Sequence, residues 1–312
     1  MNFRTREKYI LFLILVVSIF FRLWQLNSTP PGLYSDEAIN GNDALKTLEN
    51  KDFKLFYPEN TGREALFIWL ASISFSIFGP SIWSLRLVSS MVGTLTVLGL
   101  YFLSKEMFWN KQQGSAIALL SSFFLAISFW HINFSRIAFR AILTPLILVF
   151  SFYFLLKGFR TKKTYNMITA GIIFGLGFYV YSGFRISLVL LAIVLLLYYL
   201  LFKKQNSGKR FLKLVFYFLL SVFLIILPLG IYFIKNPDHF IGRTFQIFVF
   251  NQLNPIKTFS RSLIFHLGMF NIFGDWNWRH NLPGHPQLFW LIGIFFLFGF
   301  FNTIKELKII PL

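Results

Sequence analysis

Long apolar stretches separated by short polar ones dominate the chain. They fall at 9–21, 64–79, 82–104, 114–130, 141–156, 165–181, 186–202, 211–234 and 288–304. A bilayer-spanning helix needs about 20 consecutive apolar residues, and all of these runs after the first approach or reach that length. The pattern predicts an all-α, polytopic transmembrane helical bundle, with one membrane domain over residues 1–312. The first run follows Arg4, Arg6 and Lys8, as the apolar core of a signal peptide would. It continues into Arg22-Leu-Trp-Gln-Leu rather than a small-x-small cleavage site, so an uncleaved first span is expected.

Charge decides how many of the nine runs cross. If 64–79 stays out of the bilayer core, the segments 1–8, 105–113, 157–164, 203–213 and 305–312 share one side. They then hold 16 of the 30 basic residues against three acids, Glu7, Glu106 and Glu306. That is a positive-inside distribution, and it breaks if 64–79 crosses. The expectation is eight spans with both termini cytoplasmic in the plasma (inner) membrane. The 64–79 run, opened by Arg63-Glu64, would lie at the outer interface or re-enter. The external face would then consist of a loop at 27–63, turns at 131–140 and 182–185, and a long loop at 235–287.

Composition agrees: 56% of residues are hydrophobic and 13% charged, against about 25% charged in soluble domains. The net charge of +18 sits between apolar runs and not on one folded face, which argues against a nucleic-acid partner. The absence of cysteine excludes disulfide and thiolate chemistry. No Walker or Rossmann glycine pattern is present. No acid lies in the middle of an apolar run, which weighs against ion-coupled transport.

Three external clusters could carry chemistry. Asp36-Glu37 follows Pro30-Pro31-Gly32, with Ala38, Gly41, Leu45 and Leu48 at helical spacing behind it. Asp36 reads either as the N-cap of an amphipathic interfacial helix or as a general base; adjacent helical residues do not share a face, so the two acids would differ in role. Arg136 and Arg140 are four apart and would share a helix face; Arg86 and Arg185 also lie at outer span ends. Snorkelling to headgroups is one reading. Retention of a bound anion, against the positive-inside bias, is the other. The stretch 274–284, with Asp275, Asn277, Arg279 and His280 among tryptophans, reads either as an interfacial aromatic belt or as a sugar or phosphosugar pocket. Asp36, Glu37, Asp275 and His280 are metal-ligating types, but no spacing defines a metal site, which leaves a divalent cation open.

Several motifs in order resemble a known family: Phe-Arg-Leu-Trp ending the first run, Gly-Leu-Tyr-Ser-Asp-Glu-Ala, Gly-Arg-Glu-Ala-Leu-Phe-Ile-Trp-Leu, Phe-Gly-Pro-Ser-Ile-Trp-Ser-Leu-Arg-Leu at 78–87, and Ser135-Arg136 with Arg140. Across roughly 15–200 the chain resembles the GT-C superfamily of polyprenyl-phosphate-sugar-dependent glycosyltransferases. It is most similar to the protein O-mannosyltransferase and aminoarabinose transferase branch and its bacterial lipopolysaccharide relatives; the 274–284 stretch looks like a loop of bacterial members. The resemblance implies an inverting transfer, on the external side, from a polyprenyl-phosphate-linked sugar to a hydroxyl of a lipid, glycan or protein acceptor. It implies Asp36 as the catalytic base supported by Glu37, and external arginines on the donor phosphate. Arg136 is the best match, followed by Arg63, Arg86, Arg140 and Arg185. Many members continue beyond this length, so a short member or a fragment is expected. Two readings of other classes stand beside it: a lipid or sugar transporter, and a non-catalytic component that binds a membrane glycan.

Overall fold

The computed structural model describes residues 3–59, 62–202, 208–240, 248–251 and 253–307. Lys203, Lys204 and Lys308 of the basic segments, and 241–247 and 252 of the long loop, lie outside them. Every expected span is helical. α1 (Phe3–Leu23) leads into an extended stretch and α2 (Ser35–Asn50). A two-residue antiparallel ladder, β1 (Phe56–Tyr57) with β2 (Arg63–Glu64), then precedes α3 (Leu66–Phe78). α4 (Ile82–Met107), α5 (Gly114–Ile127), α6 (Phe129–Arg136), α7 (Leu143–Thr161), α8 (Thr164–Leu176), α9 (Ser187–Phe202) and α10 (Gly208–Lys235) follow. α11 (Pro255–Gly268) and α12 (Trp290–Leu307) complete the described elements.

Four segments are long and apolar enough to cross a membrane on their own: α4, 140–161, 182–201 and α10. α5 and α6 make a fifth if taken as one span broken by a 58° bend. The count of eight therefore goes beyond what length and apolarity alone support among the described residues. α3, with 13 residues, extends about 20 Å, short of the roughly 30 Å hydrocarbon core.

Three local expectations change. The 131–140 turn is mostly helix: α6 runs to Arg136, Ile137 is extended, and Arg140 opens a separate 3-10 turn. Arg136 and Arg140 therefore share no helix face. The long loop contains α11, which starts on Pro255 and carries Ile256, Phe259, Leu263 and Leu267 on one exposed apolar stripe. The β1–β2 ladder is too short to leave a period-2 signature.

In lipid there is little hydrophobic drive to bring helices together, so close packing and interhelical hydrogen bonds do it. α8 packs against α7 and α10. A Cβ on Gly171 would come 2.4 Å from the carbonyl oxygen of Phe218, and one on Gly175 would come 2.7 Å from Cβ of Ile225. This small-xxx-small face lets the α8 and α10 backbones approach. Buried hydroxyls lace the remaining helices: Ser151 donates to Ala170 O (3.1 Å), Ser72 to Ala44 O (2.9 Å), and Ser90 to both Arg22 O and Ser135 O (3.0 Å). Apolar side chains of α9 and α12 face outward along most of their length, as lipid contact requires.

Candidate active site

The site forms where the exit of α1, the start of α2, the N-terminal end of α4, α6 and the 274–284 loop meet. Arg86, one turn into α4, is fully buried. Its five N–H groups are all used. Nε donates to Glu37 Oε1 (2.9 Å) and Nη2 to Glu37 Oε2 (3.3 Å). Nη1 donates to the carbonyls of Leu26 (3.2 Å) and Pro30 (2.8 Å), and Nη2 also to that of Gly32. Glu37, 1% exposed, accepts in addition from the backbone N–H of Ala138 at Oε1 and of Tyr34 at Oε2, both at 3.0 Å. A carboxylate has about four lone-pair directions, and here each holds a donor. Arg86 and Glu37 are thus closed on one another, and neither has a group left for a phosphate, a proton in transit or a metal.

Arg136 works on the same stretch of chain. Its Nη1 donates to Phe21 O (2.7 Å) and its Nη2 to Trp24 O (2.5 Å) and Thr29 O (2.8 Å). It thereby satisfies carbonyls at and beyond the C-terminus of α1 that helix geometry leaves open. Arg63 pairs with Asp43 at 2.6 Å and Arg140 with Glu64 at 2.7 Å, all four side chains largely buried. Burial pushes the Asp43 carboxyl up from the usual range, opposed by the Arg63 charge. The Arg185 guanidinium lies 4.3 Å over the Phe240 ring. The arginines expected on a phosphate are therefore engaged within the protein, four of them with carboxylates or carbonyls.

Asp36 is placed differently. α2 begins at Ser35 with Tyr34 as its N-cap, so Asp36 is not the cap; it sits in the first turn, where a negative charge is favoured by the helix dipole. Its side chain is 45% exposed, and its Oδ2 lies 3.5 Å from Nη1 of Arg279. The Arg279 guanidinium also lies 3.5 Å over the Tyr34 ring. Asn277 Oδ1 accepts from Arg279 Nε (3.1 Å), and Asn133 Nδ2 of α6 donates to the Arg279 carbonyl (2.5 Å). His280 stacks on Phe134, centroids 5.5 Å apart, and bonds Asp275 at 2.7 Å. Burial works against the Asp275 charge, but the Asn277 N–H and His280 together hold its carboxyl below the usual range. The loop thus docks on α6 and carries Arg279 to Asp36. Beside them lies a cavity of about 130 Å³, lined by Pro31, Tyr34, Asn133, Phe139, Trp278 and Arg279 among others.

Asp36, Glu37, Arg86, Asn277 and Arg279 meet at this place, and Asp275 and His280 brace the loop behind Arg279. Of the expected site residues only Glu37 and Arg279 line the cavity; Asp36, Arg63, Arg86, Arg136, Arg140 and Arg185 do not. Among the described residues no three of His, Cys, Asp and Glu gather as a metal cluster. The sequence reading missed Arg22. Fully buried in the α1–α6 interface, it bonds His131 Nδ1 (2.8 Å), Ser18 Oγ (2.9 Å), Ser135 Oγ (3.2 Å) and Ala126 O (3.1 Å). It also missed Asp43 and Glu64 as ion-pair partners, although Asp43 stands seven residues after Asp36 on the same helix face.

The architecture defines a multi-pass α-helical membrane protein with an acid–arginine site at one end of its bundle. Residues 65–232 match the family described as dolichyl-phosphate-mannose-protein mannosyltransferase. The chain belongs to that family, within the GT-C group that its sequence motifs resemble. The matched segment contains Arg86 and Arg136 but neither Asp36-Glu37 nor the 274–284 loop. An uncharacterized protein of Aquifex aeolicus (strain VF5) is 28% identical over 168 residues, which is 51% of this chain and 31% of that protein. The crystal structure of ArnT from Cupriavidus metallidurans bound to undecaprenyl phosphate superposes with a TM-score of 0.55 at 14% identity. The match covers 75% of this chain and 43% of ArnT. The chain therefore spans about a third of its curated relative and under half of ArnT, and the likeness to ArnT is one of fold.

Proposed function

We propose that this chain is a membrane glycosyltransferase that moves a sugar from a polyprenyl-phosphate donor to an acceptor hydroxyl on the external side. The observation that carries the reading is the half-exposed Asp36 carboxylate, set 3.5 Å from Arg279, which itself lines the cavity. Asp36 takes the proton of the acceptor hydroxyl as its oxygen bonds to the anomeric carbon. On the opposite face the bond from that carbon to the phosphate oxygen breaks, and the polyprenyl phosphate leaves with the electron pair. One displacement inverts the anomeric centre. Arg279 offers the leaving phosphate a guanidinium. Glu37 and Arg86 support this chemistry by fixing Tyr34 and the 26–32 stretch, so that Asp36 projects from a rigid helix start. Family membership and the ArnT-like fold support the donor class; the acceptor is a lipid, glycan or protein hydroxyl.

The same reading takes eight spans in the plasma (inner) membrane, with both termini cytoplasmic and Asp36 outside. It rests on the distribution of basic residues and on the shortness of α3. The decisive experiment is Asp36→Asn in membranes supplied with a radiolabelled polyprenyl-phosphate sugar. Transfer falls at least 10²-fold while the protein accumulates normally; wild-type transfer by the variant removes Asp36 from the mechanism. Single cysteines placed in this cysteine-free chain test the topology. Labelling of Arg160→Cys from the outside overturns it.

A further inference from the structure

The opposite end of the bundle carries a second, independent feature. Glu106 lies 20 residues beyond Arg86 on α4, about 30 Å along the helix axis. Two cavities adjoin there. One, of about 340 Å³, is of mixed polarity, with Lys105, Lys111 and Ser115 set among Phe102, Phe108 and Tyr153. The other, of about 690 Å³, is an apolar groove between α4, α7 and α9, lined by Leu103, Leu190, Val194, Leu197 and Leu201, with Lys162 at its margin. Glu106, Trp109 and Arg160 line both and form the ridge between them. Arg160 donates to both oxygens of Glu106 through Nε and Nη2, and its guanidinium lies 5.4 Å over the Trp109 ring.

The charge at this place does not balance. Glu106 is occupied by Arg160, and Glu7 by Lys105 at 2.6 Å. Lys111 and Lys162, both exposed, have no carboxylate partner among the described residues. A half-polar chamber with surplus positive charge, sharing an aromatic–arginine wall with a long apolar groove, matches one kind of occupant: a molecule with an anionic head and a hydrocarbon chain. We propose that this end of the bundle is a binding site for a single anionic phospholipid. Its headgroup sits by Lys111 and Lys162, and an acyl chain lies in the groove beside Val194 and Leu197. Electrostatics selects the headgroup, and the groove excludes water from the chain. The site is separate from Asp36, and its existence does not depend on the transferase reading.

The test uses the full chain in nanodiscs containing equal amounts of phosphatidylglycerol and phosphatidylcholine, ejected into a native mass spectrometer. Wild type retains one phosphatidylglycerol in preference to phosphatidylcholine. Each exposed lysine contributes about fivefold to binding an anionic headgroup, so Lys111→Gln with Lys162→Gln reduces retention about 25-fold without touching the core. Val194→Trp, which fills the groove, displaces the lipid while both lysines remain. Equal retention of the two lipids by wild type overturns the proposal. So does unchanged retention by the lysine variant, which would leave a neutral apolar groove, or preferential retention of undecaprenyl phosphate added to the same nanodiscs.

Discussion

Glu37→Gln separates the scaffold of the site from its chemistry. In the native chain the carboxylate receives four donors: Arg86 Nε, Arg86 Nη2, Tyr34 N and Ala138 N. A glutamine keeps one oxygen and turns an NH2 group toward the other pair, so two donors are left facing a donor. Each buried orphan costs about 1–3 kcal/mol. The Arg86 guanidinium, with no exposed surface, also loses its countercharge, and breaking a buried pair from one side costs about 3–5 kcal/mol. These figures describe overlapping losses, so the expected destabilisation is about 3–5 kcal/mol, a large share of a typical 5–15 kcal/mol. Asp36→Asn, by contrast, disturbs a part-exposed pair at 3.5 Å, worth about 0–1 kcal/mol. Reversible unfolding by SDS in mixed micelles, followed by circular dichroism, measures both variants. A Glu37→Gln protein within about 1 kcal/mol of wild type would refute the reasoning, because the network would then not be holding the loop.

Arg279→Gln removes the one guanidinium that both lines the cavity and meets Asp36; transfer in kcat/KM should fall about 10- to 100-fold, from a charged hydrogen bond of roughly 1.5–3 kcal/mol, with partial recovery in Arg279→Lys. Gly171→Leu pushes a side chain into the Phe218 carbonyl and Ser221 of α10 and should abolish a monodisperse peak in detergent gel filtration, whereas the exposed Leu219→Ala should not. Acidification should release the 274–284 loop. The Asp275 carboxyl is lowered in the folded state, so its contribution is complete above the usual carboxylate range near pH 3.9 and is lost as pH falls through the lower folded value. Trp276 and Trp278 fluorescence should show a step below about pH 4, and Asp275→Asn should flatten that step.

The helices were legible because the bilayer imposes one requirement, about 20 apolar residues with internal hydrogen bonds, that a linear pattern records directly. α11 was legible in principle from Pro255 and the stripe of Ile256, Phe259 and Leu263. The arginines divide more instructively. The sequence marks them as candidates for holding an anion; within the chain Arg63, Arg86 and Arg140 meet carboxylates, whereas Arg136 meets only carbonyls. Their partners were not readable. Glu37 lies 49 residues from Arg86 and Glu64 lies 76 from Arg140, and no local periodicity links such positions. Arg22 escaped for a different reason. At the end of an apolar run a basic residue reads as an interface anchor, and only the packing of α6 against α1 turns it inward to His131 and Ser135.

The way these arginines are held bears on what they do for a phosphate. A hydrogen bond to a carbonyl satisfies a guanidinium N–H but does not cancel its charge. Arg22 and Arg136 are buried and bonded to carbonyls, hydroxyls and an imidazole, while Glu37 neutralises Arg86. Two positive charges therefore remain in the protein, neither of them lining the cavity, without a contacting carboxylate among the described residues. In a medium of effective dielectric near 20, a unit charge at roughly 10 Å is worth about 1.7 kcal/mol to an anion, and such a contribution needs no reorganisation at the moment of reaction. On the proposed mechanism the division of labour follows. Arg279 meets the phosphate directly, and Arg136 and Arg22 act at a distance through charge they cannot lose. The same bonds to Phe21, Trp24 and Thr29 that remove Arg136 from direct contact hold the stretch of chain that leads to Asp36. The base and the field it works in are therefore set by one network.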